Sequence, residues 1–175
     1  MKVGKKVLLL AAAVIVLSAG ILLYLLIPEN IKPESLLNTD SFQFKGIEWK
    51  ADEKAVSRAW RAPLKVDPFA EFIPANENIL KSADAIVMDG KKGTIKFNFR
   101  DDKLYQISLN FPDVWLTELP EQVLQECRRV YGTEDSAKNG AYIWYKGETM
   151  LQIFMPKEIQ GSPLMIGIGL QVEYQ

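Results

Sequence analysis

Three groups of side chains in this sequence have the types and spacing to do chemistry. Cys127 could act as a nucleophile, Asp101-Asp102 could offer oxygen ligands to a metal, and Glu118 with Glu121 could form an acid–base pair. Each has a plainer explanation. A thiolate nucleophile needs a base and an electropositive, accessible setting. The chain contains no histidine, and Cys127 falls on the apolar stripe of a helical pattern, so it reads as a core residue. Two adjacent acids between alternating runs suit a solvated turn, and a calcium loop would need further oxygen donors at regular spacing. Glu118 and Glu121 lie in the first turn of a helix, where the helix dipole already favours acids. The absence of histidine also excludes Ser-His-Asp and Cys-His catalysis and His-containing metal sites. The sequence therefore leads us to expect no catalytic residue, no metal site, no cofactor and no enzymatic activity.

The remaining compositional feature is aromatic: Trp49, Trp60, Trp115 and Trp144, with six tyrosines. Core packing accounts for most of these. An exposed subset would mark a protein interface, because Trp, Tyr and Arg are enriched at hot spots. Trp115, after Pro112-Asp113 and just ahead of a helix, leads that set, with Trp49 and Trp144 behind it.

Charge divides the chain. Three of the 21 basic residues, Lys2, Lys5 and Lys6, precede a long apolar run, leaving 18 bases against 22 acids from Glu29 onward. A mildly acidic domain lacks the clustered basic face that nucleic acids require. The 21 residues Val7 to Ile27 carry no charge. As a helix with ~1.5 Å rise per residue they would span about 30 Å, the thickness of a bilayer's hydrocarbon core. The lysines ahead of the run predict a cytoplasmic amino end and an extracytoplasmic remainder, which places the chain in the inner (cytoplasmic) membrane. A cleaved signal peptide is the competing reading, with Ser18-Ala19-Gly20 as a small-residue site, but seven further apolar residues follow it. The expected organisation is a cytoplasmic tail (1–6), a transmembrane anchor (7–27), a tether (28–41) and an extracytoplasmic domain (42–175).

Within that domain, residues 42–49 alternate apolar and polar and predict a strand or extended lead-in. Residues 52–61 predict a helix closed by Pro63, and 64–84 an irregular connection. Residues 85–88 read as a strand with Asp89-Gly90 as its turn. Residues 94–99 and 104–111 alternate with period two about Arg100-Asp-Asp-Lys103, a β-hairpin signature. Ile95, Phe97 and Phe99 should share one face, as should Tyr105, Ile107, Leu109 and Phe111. Residues 117–131 predict the best helix, with Thr117 as N-cap and Gly132 as its stop. Its apolar stripe runs through Leu116, Leu119, Val123, Leu124, Cys127, Val130 and Tyr131. Three strands follow at 142–145, 149–155 and 164–174, the last expected to be central in the sheet. A helix followed by about three strands thus occurs twice. The predicted class is α+β, with helices packed on one face of an antiparallel sheet.

Three segments carry a resemblance. Phe44-Lys45-Gly46-Ile47-Glu48-Trp49, the hairpin FNFRDDKLYQISLNF, and Val130-Tyr131-Gly132 followed by Tyr142-Ile143-Trp144-Tyr145 resemble small bacterial exported proteins. Those open on an FRGIxWG-like motif, and the likeness covers residues 42–155. Lys50 stands where they carry glycine. They are similar in fold to the β-lactamase inhibitor protein and outer-membrane assembly lipoprotein group, so the resemblance implies a protein-binding role. It transfers no functional residue.

The expected function is a membrane-tethered protein-interaction domain facing the periplasm, in envelope assembly or maintenance. It would hold the bilayer through 7–27 and an unidentified protein partner outside. The alternative is a sensing or small-molecule-binding domain with an apolar pocket between helix and sheet.

Overall fold

The period-two runs become the spine of the molecule. In the computed structural model, which describes residues 29–32, 42–68, 74–83, 85–156 and 162–171, strands β5 (Lys91–Arg100) and β6 (Lys103–Phe111) pair as an antiparallel hairpin. Asp101 and Asp102 both take positive φ, 49° and 58°. That is the conformation of a two-residue turn whose twist matches the strands it joins. The register slips between Asn98 and Phe99, so that Phe99 faces Leu104 while Asn98 faces Gln106. The extra residue is Tyr105. It therefore leaves the core face predicted for it, and fully buried Leu104 takes its place.

Four shorter strands extend the sheet beyond the outer side of β5. Strand β4 (Ile86–Met88) pairs with its first residues and β3 (Glu77–Ser82) with its second half. Strand β2 (Leu64–Val66) adds to β3, and β1 (Glu29–Asn30) runs parallel to β4. On the other side, β10 (Leu164–Leu170) lies between β6 and β9 (Thr149–Phe154). Beyond β9 come β8 (Ala141–Lys146) and β7 (Ser136–Lys138). The result is a ten-stranded, mainly antiparallel sheet with β10 central, as expected.

Two helices accompany it. Helix α1 (Glu53–Trp60) starts where Asp52 accepts the Ala55 N–H at 2.8 Å and ends at Arg61, which has φ 62°. Helix α2 (Leu119–Tyr131) ends at Gly132 with φ 85°. Val56 and Trp60 of α1, with Val123, Leu124 and Cys127 of α2, share one buried cluster with Phe97, Ile107 and Ile166 of the sheet. Both helices thus lie against the same face. The α+β class holds, with five strands after the first helix and four after the second rather than three and three.

Several local expectations are corrected. Residues 42–50 form turns, not a strand: Ile47 N–H donates to the Phe44 carbonyl at 3.0 Å, and Lys45, Gly46 and Lys50 all have positive φ. Lys50, at the position where the resembling proteins have glycine, takes the left-handed conformation glycine favours, with φ 63°. Within 64–84, read as irregular, the sheet recruits β2 and β3. Glu77 and Asn78 are poor strand formers on their own, and pairing with β5 holds them extended. Thr117 is not the N-cap, because its hydroxyl donates to the Val114 carbonyl at 2.8 Å and the helix begins after Glu118. Leu116 consequently precedes the helix instead of joining its stripe, and is 78% exposed. The polar stretch after α2 contains β7, turned into β8 by Asn139-Gly140 with φ 54° and 80°.

Among the described residues, no helix is long and apolar enough to cross a membrane. The apolar run Val7 to Ile27 and most of the tether lie outside the described residues.

Candidate functional site

Strand geometry sends successive side chains to opposite faces of the sheet. One face carries Ile95, Phe97, Ile107, Leu109, Ile166 and Ile168 into the helices. The other carries Lys96, Asn98, Gln106, Ser108 and Asn110 from β5 and β6, Met165 and Gly167 from β10, and Gln152 and Phe154 from β9. No described helix covers this second face. Its composition is unusual for a solvated sheet face, which ought to alternate cleanly to polar residues. Ile79, Ile143, Tyr145, Phe154 and Met165 project there among the polar ones, with Tyr145 49% and Met165 41% exposed.

In the middle of this face is a trough of about 260 Å³, bordered by Lys96, Gln106, Ser108, Asn110, Phe154, Met165 and Gly167. Its depth comes from Gly167. A Cβ there would stand 3.6 Å from Gln106 Nε2 and 3.9 Å from Gln152 Cβ, so the missing side chain leaves room between two amides. Asn98 is buried, and its amide donates to Gln106 Oε1 at 2.9 Å and to Ser108 Oγ at 3.2 Å. Lys96 is held by Asp67, a carboxylate only 2% exposed, through a 2.8 Å ion pair. Asn110 Oδ1 is buried without a hydrogen-bond partner.

At the β3 end of the same face, Arg100 donates from Nε at 3.0 Å and from a terminal nitrogen at 2.8 Å to Glu77 Oε1. Its guanidinium lies 4.7 Å from the centre of the Tyr105 ring, whose hydroxyl donates to Glu77 Oε2 at 3.3 Å. Burial, then the Glu77 charge, pushes the Tyr105 phenol above its ordinary pKa. This cluster ties β3 to the bulged hairpin.

The residues singled out for chemistry do not converge. Burial pushes the Cys127 thiol up to about 12, far from the thiolate a nucleophile needs. Asp101 accepts from the Asn76 amide at 3.3 Å in the exposed β5–β6 turn, and Glu121 accepts from Gln125 at 2.8 Å on the surface of α2. Among the described residues, no group of three or more His, Cys, Asp or Glu side chains could hold a metal.

Nor do the three tryptophans make one surface. Trp144 is 2% exposed and donates to the Gly132 carbonyl at 2.8 Å, so it joins sheet to helix end inside the core and cannot meet a partner. Trp49 is half-buried, with a buried indole N–H that has no partner. Trp115 is half-buried beside exposed Leu116. None of these three rings stacks on another aromatic ring among the described residues. The core cluster lies between the helices and one face of the sheet, and the trough lies on the opposite face. That face was missed because its members are ordinary polar alternates. The signal was the intrusion of Ile143, Tyr145, Phe154 and Met165 among them.

No protein-family model matches the chain, and none of the curated proteins matches it. Two solved structures are similar. One is the DUF4309 family protein YjgB from Bacillus subtilis, at 13% identity and a TM-score of 0.43, over 79% of this chain and 95% of that one. The other is a cysteine-rich secretory protein from Staphylococcus aureus, at 9% identity and a TM-score of 0.44, over 83% of this chain and 51% of that one.

Proposed function

We infer that this protein is a membrane-tethered interaction domain. Residues 7–27 anchor it in the cytoplasmic membrane with the amino end inside, and the sheet domain acts outside the cytoplasm on a protein partner in the envelope. The observation that carries the binding role is the sheet face that no described helix covers. Ile79, Ile143, Tyr145, Phe154 and Met165 interrupt its polar alternation, as the apolar centre of an interface does. The anchor rests on the charge-free run of 21 residues, Val7 to Ile27, and the lysines before it. Nothing in this reading needs catalysis.

Trp115 with Leu116 remains a secondary contact at the edge of the domain, while the main surface moves to the β8–β9–β10 side of the sheet. A photo-crosslinking residue placed at Tyr145 in intact cells should give a discrete protein adduct, and one placed at Trp144 should give none. Adducts to lipid alone from Tyr145 would end the protein-partner reading. The anchor is tested separately: the full chain should stay with membranes after an alkaline carbonate wash, and its release would remove the tether.

A further inference from the structure

The trough differs in chemistry from the apolar part of the face around it. Two side-chain amides, Gln106 and Asn110, and the Ser108 hydroxyl line the gap above Gly167, with Asn98 donating to Gln106 and Ser108 from outside it. Amides and hydroxyls both donate and accept, so they complement ligand groups that do the same. The one cation, Lys96, is already neutralised by Asp67 at 2.8 Å. The site therefore offers no net charge to an anion such as a phosphate or a carboxylate. Asn110 borders the trough, and its Oδ1 is turned into the protein without a hydrogen-bond partner. Phe154 and Met165 supply an apolar wall on one side. At about 260 Å³ the trough admits one ring-sized group, below the usual range for a whole drug-sized ligand.

We propose that this trough binds a neutral sugar residue. The sugar's hydroxyls exchange hydrogen bonds with Asn110, Gln106 and Ser108, and its apolar ring face rests on Phe154 and Met165. A sugar meets all four conditions: no charge, hydroxyls that donate and accept, one apolar flank and the size of one ring. This adds a ligand to a domain whose protein contacts lie further toward β8, at Ile143 and Tyr145. Phe154 and Met165 border both surfaces, so the two are told apart by mutation at Tyr145, which lies outside the trough, and at Gly167, which lies within it.

The test uses the full chain in a detergent without sugar groups and reads saturation transfer by NMR from protein to ligand. The probes are glucose, N-acetylglucosamine, cellotetraose, chitotetraose and, as a charged control, polygalacturonate. At least one neutral probe should receive saturation. Tetrasaccharides outdoing monosaccharides would identify a glycan chain as the source, and the reverse a free sugar. Asn110→Leu should weaken binding by about ten-fold or more. Gly167→Val, which fills the trough without removing a polar group, should do the same while the circular dichroism of the domain is unchanged. Absence of transfer to every neutral probe, equal binding by a folded Gly167→Val variant, or preference for polygalacturonate would each overturn the assignment. Loss of the Tyr145 adduct in cells would bear on the protein partner and not on the sugar.

Discussion

The two faces of the ten-stranded sheet share a backbone and differ in almost everything else. On the covered face Phe97, Ile107 and Ile166 are fully buried against both helices. One residue along each strand, on the opposite face, stand Asn98, Ser108 and Gly167, a hydrogen-bonded amide, a hydroxyl and a gap. The covered face is filled to exclude water and to decide the fold. The other is shaped around an opening, and it bears an unpaired polar atom and exposed Tyr145 and Met165. A sheet that needed only to be stable would have a plainly polar outer face. The proposed binding role rests on the departure from that pattern.

Mutations in matched pairs sharpen the contrast. The largest effect should come from Phe97→Ala, which empties a fully buried position and should cost ~3–5 kcal/mol in denaturant unfolding. Phe154→Ala on the open face should cost about 1 kcal/mol or less while weakening ligand or partner binding. Equal losses would erase the distinction between the faces.

Glycines give the next pair. A Cβ on Gly93 would lie 2.6 Å from Phe111 Cδ1 and 2.7 Å from the Asn110 carbonyl oxygen, so Gly93→Ala should destabilise by ~1–3 kcal/mol. Gly167→Ala meets nothing closer than 3.6 Å and should leave the melting temperature unchanged or slightly raised.

A smaller effect is pH-dependent and belongs to the covered side. Arg128 of α2 donates to Glu134 at 2.9 and 2.7 Å, and these bonds hold the Glu134 pKa at about 2 against an ordinary 4.5. A lowered carboxylate pKa stabilises the fold fully above the ordinary value, and that contribution is lost as pH falls through 4.5 toward about 2. Glu134→Gln should flatten this part of the melting-temperature profile and leave the open face's binding unchanged. The smallest effect should follow Asp135→Ala. Its carboxylate accepts the Tyr145 N–H at 2.7 Å, beyond the end of three-residue β7, and so blunts the sheet edge. Stability should fall by about 0.5–1.5 kcal/mol, with a greater tendency to self-associate on concentration.

Much of the covered face was legible in the sequence, because burial writes a strong period. Residues 94–99 and 104–111 alternate visibly, and 119–131 repeat at helical spacing. Failures came where a tertiary partner overrode local preference. Glu77–Ser82 has no alternation and is a strand only because β5 pairs with it. Tyr105 alternates correctly with Ile107, yet the bulge ejects it toward Arg100 and Glu77. Leu116 sits at helical spacing one turn too early, since the hydroxyl of Thr117 turns back to Val114. Asn139-Gly140 turns β7 into β8, but the exposed three-residue β7 before it offers no apolar pattern to pair. The open face was hardest to read. Its amides look like ordinary solvated positions, and only pairing of β10 with β6 and β9 brings Gln106, Ser108, Asn110 and Phe154 around Gly167. Trp144 shows the converse error: an aromatic chosen for its type as surface proves to be core.

Methionine oxidation tests most directly whether the face that no described helix covers is occupied in the cell. Met165 is 41% exposed on that face, whereas Met88 is fully buried and serves as an internal standard. Brief peroxide treatment should convert Met165 to sulfoxide rapidly in the purified protein and several-fold more slowly in native membranes, with Met88 slow in both. Equal Met165 oxidation in the two settings would show the face bare in its natural surroundings and would contradict its role as the binding surface.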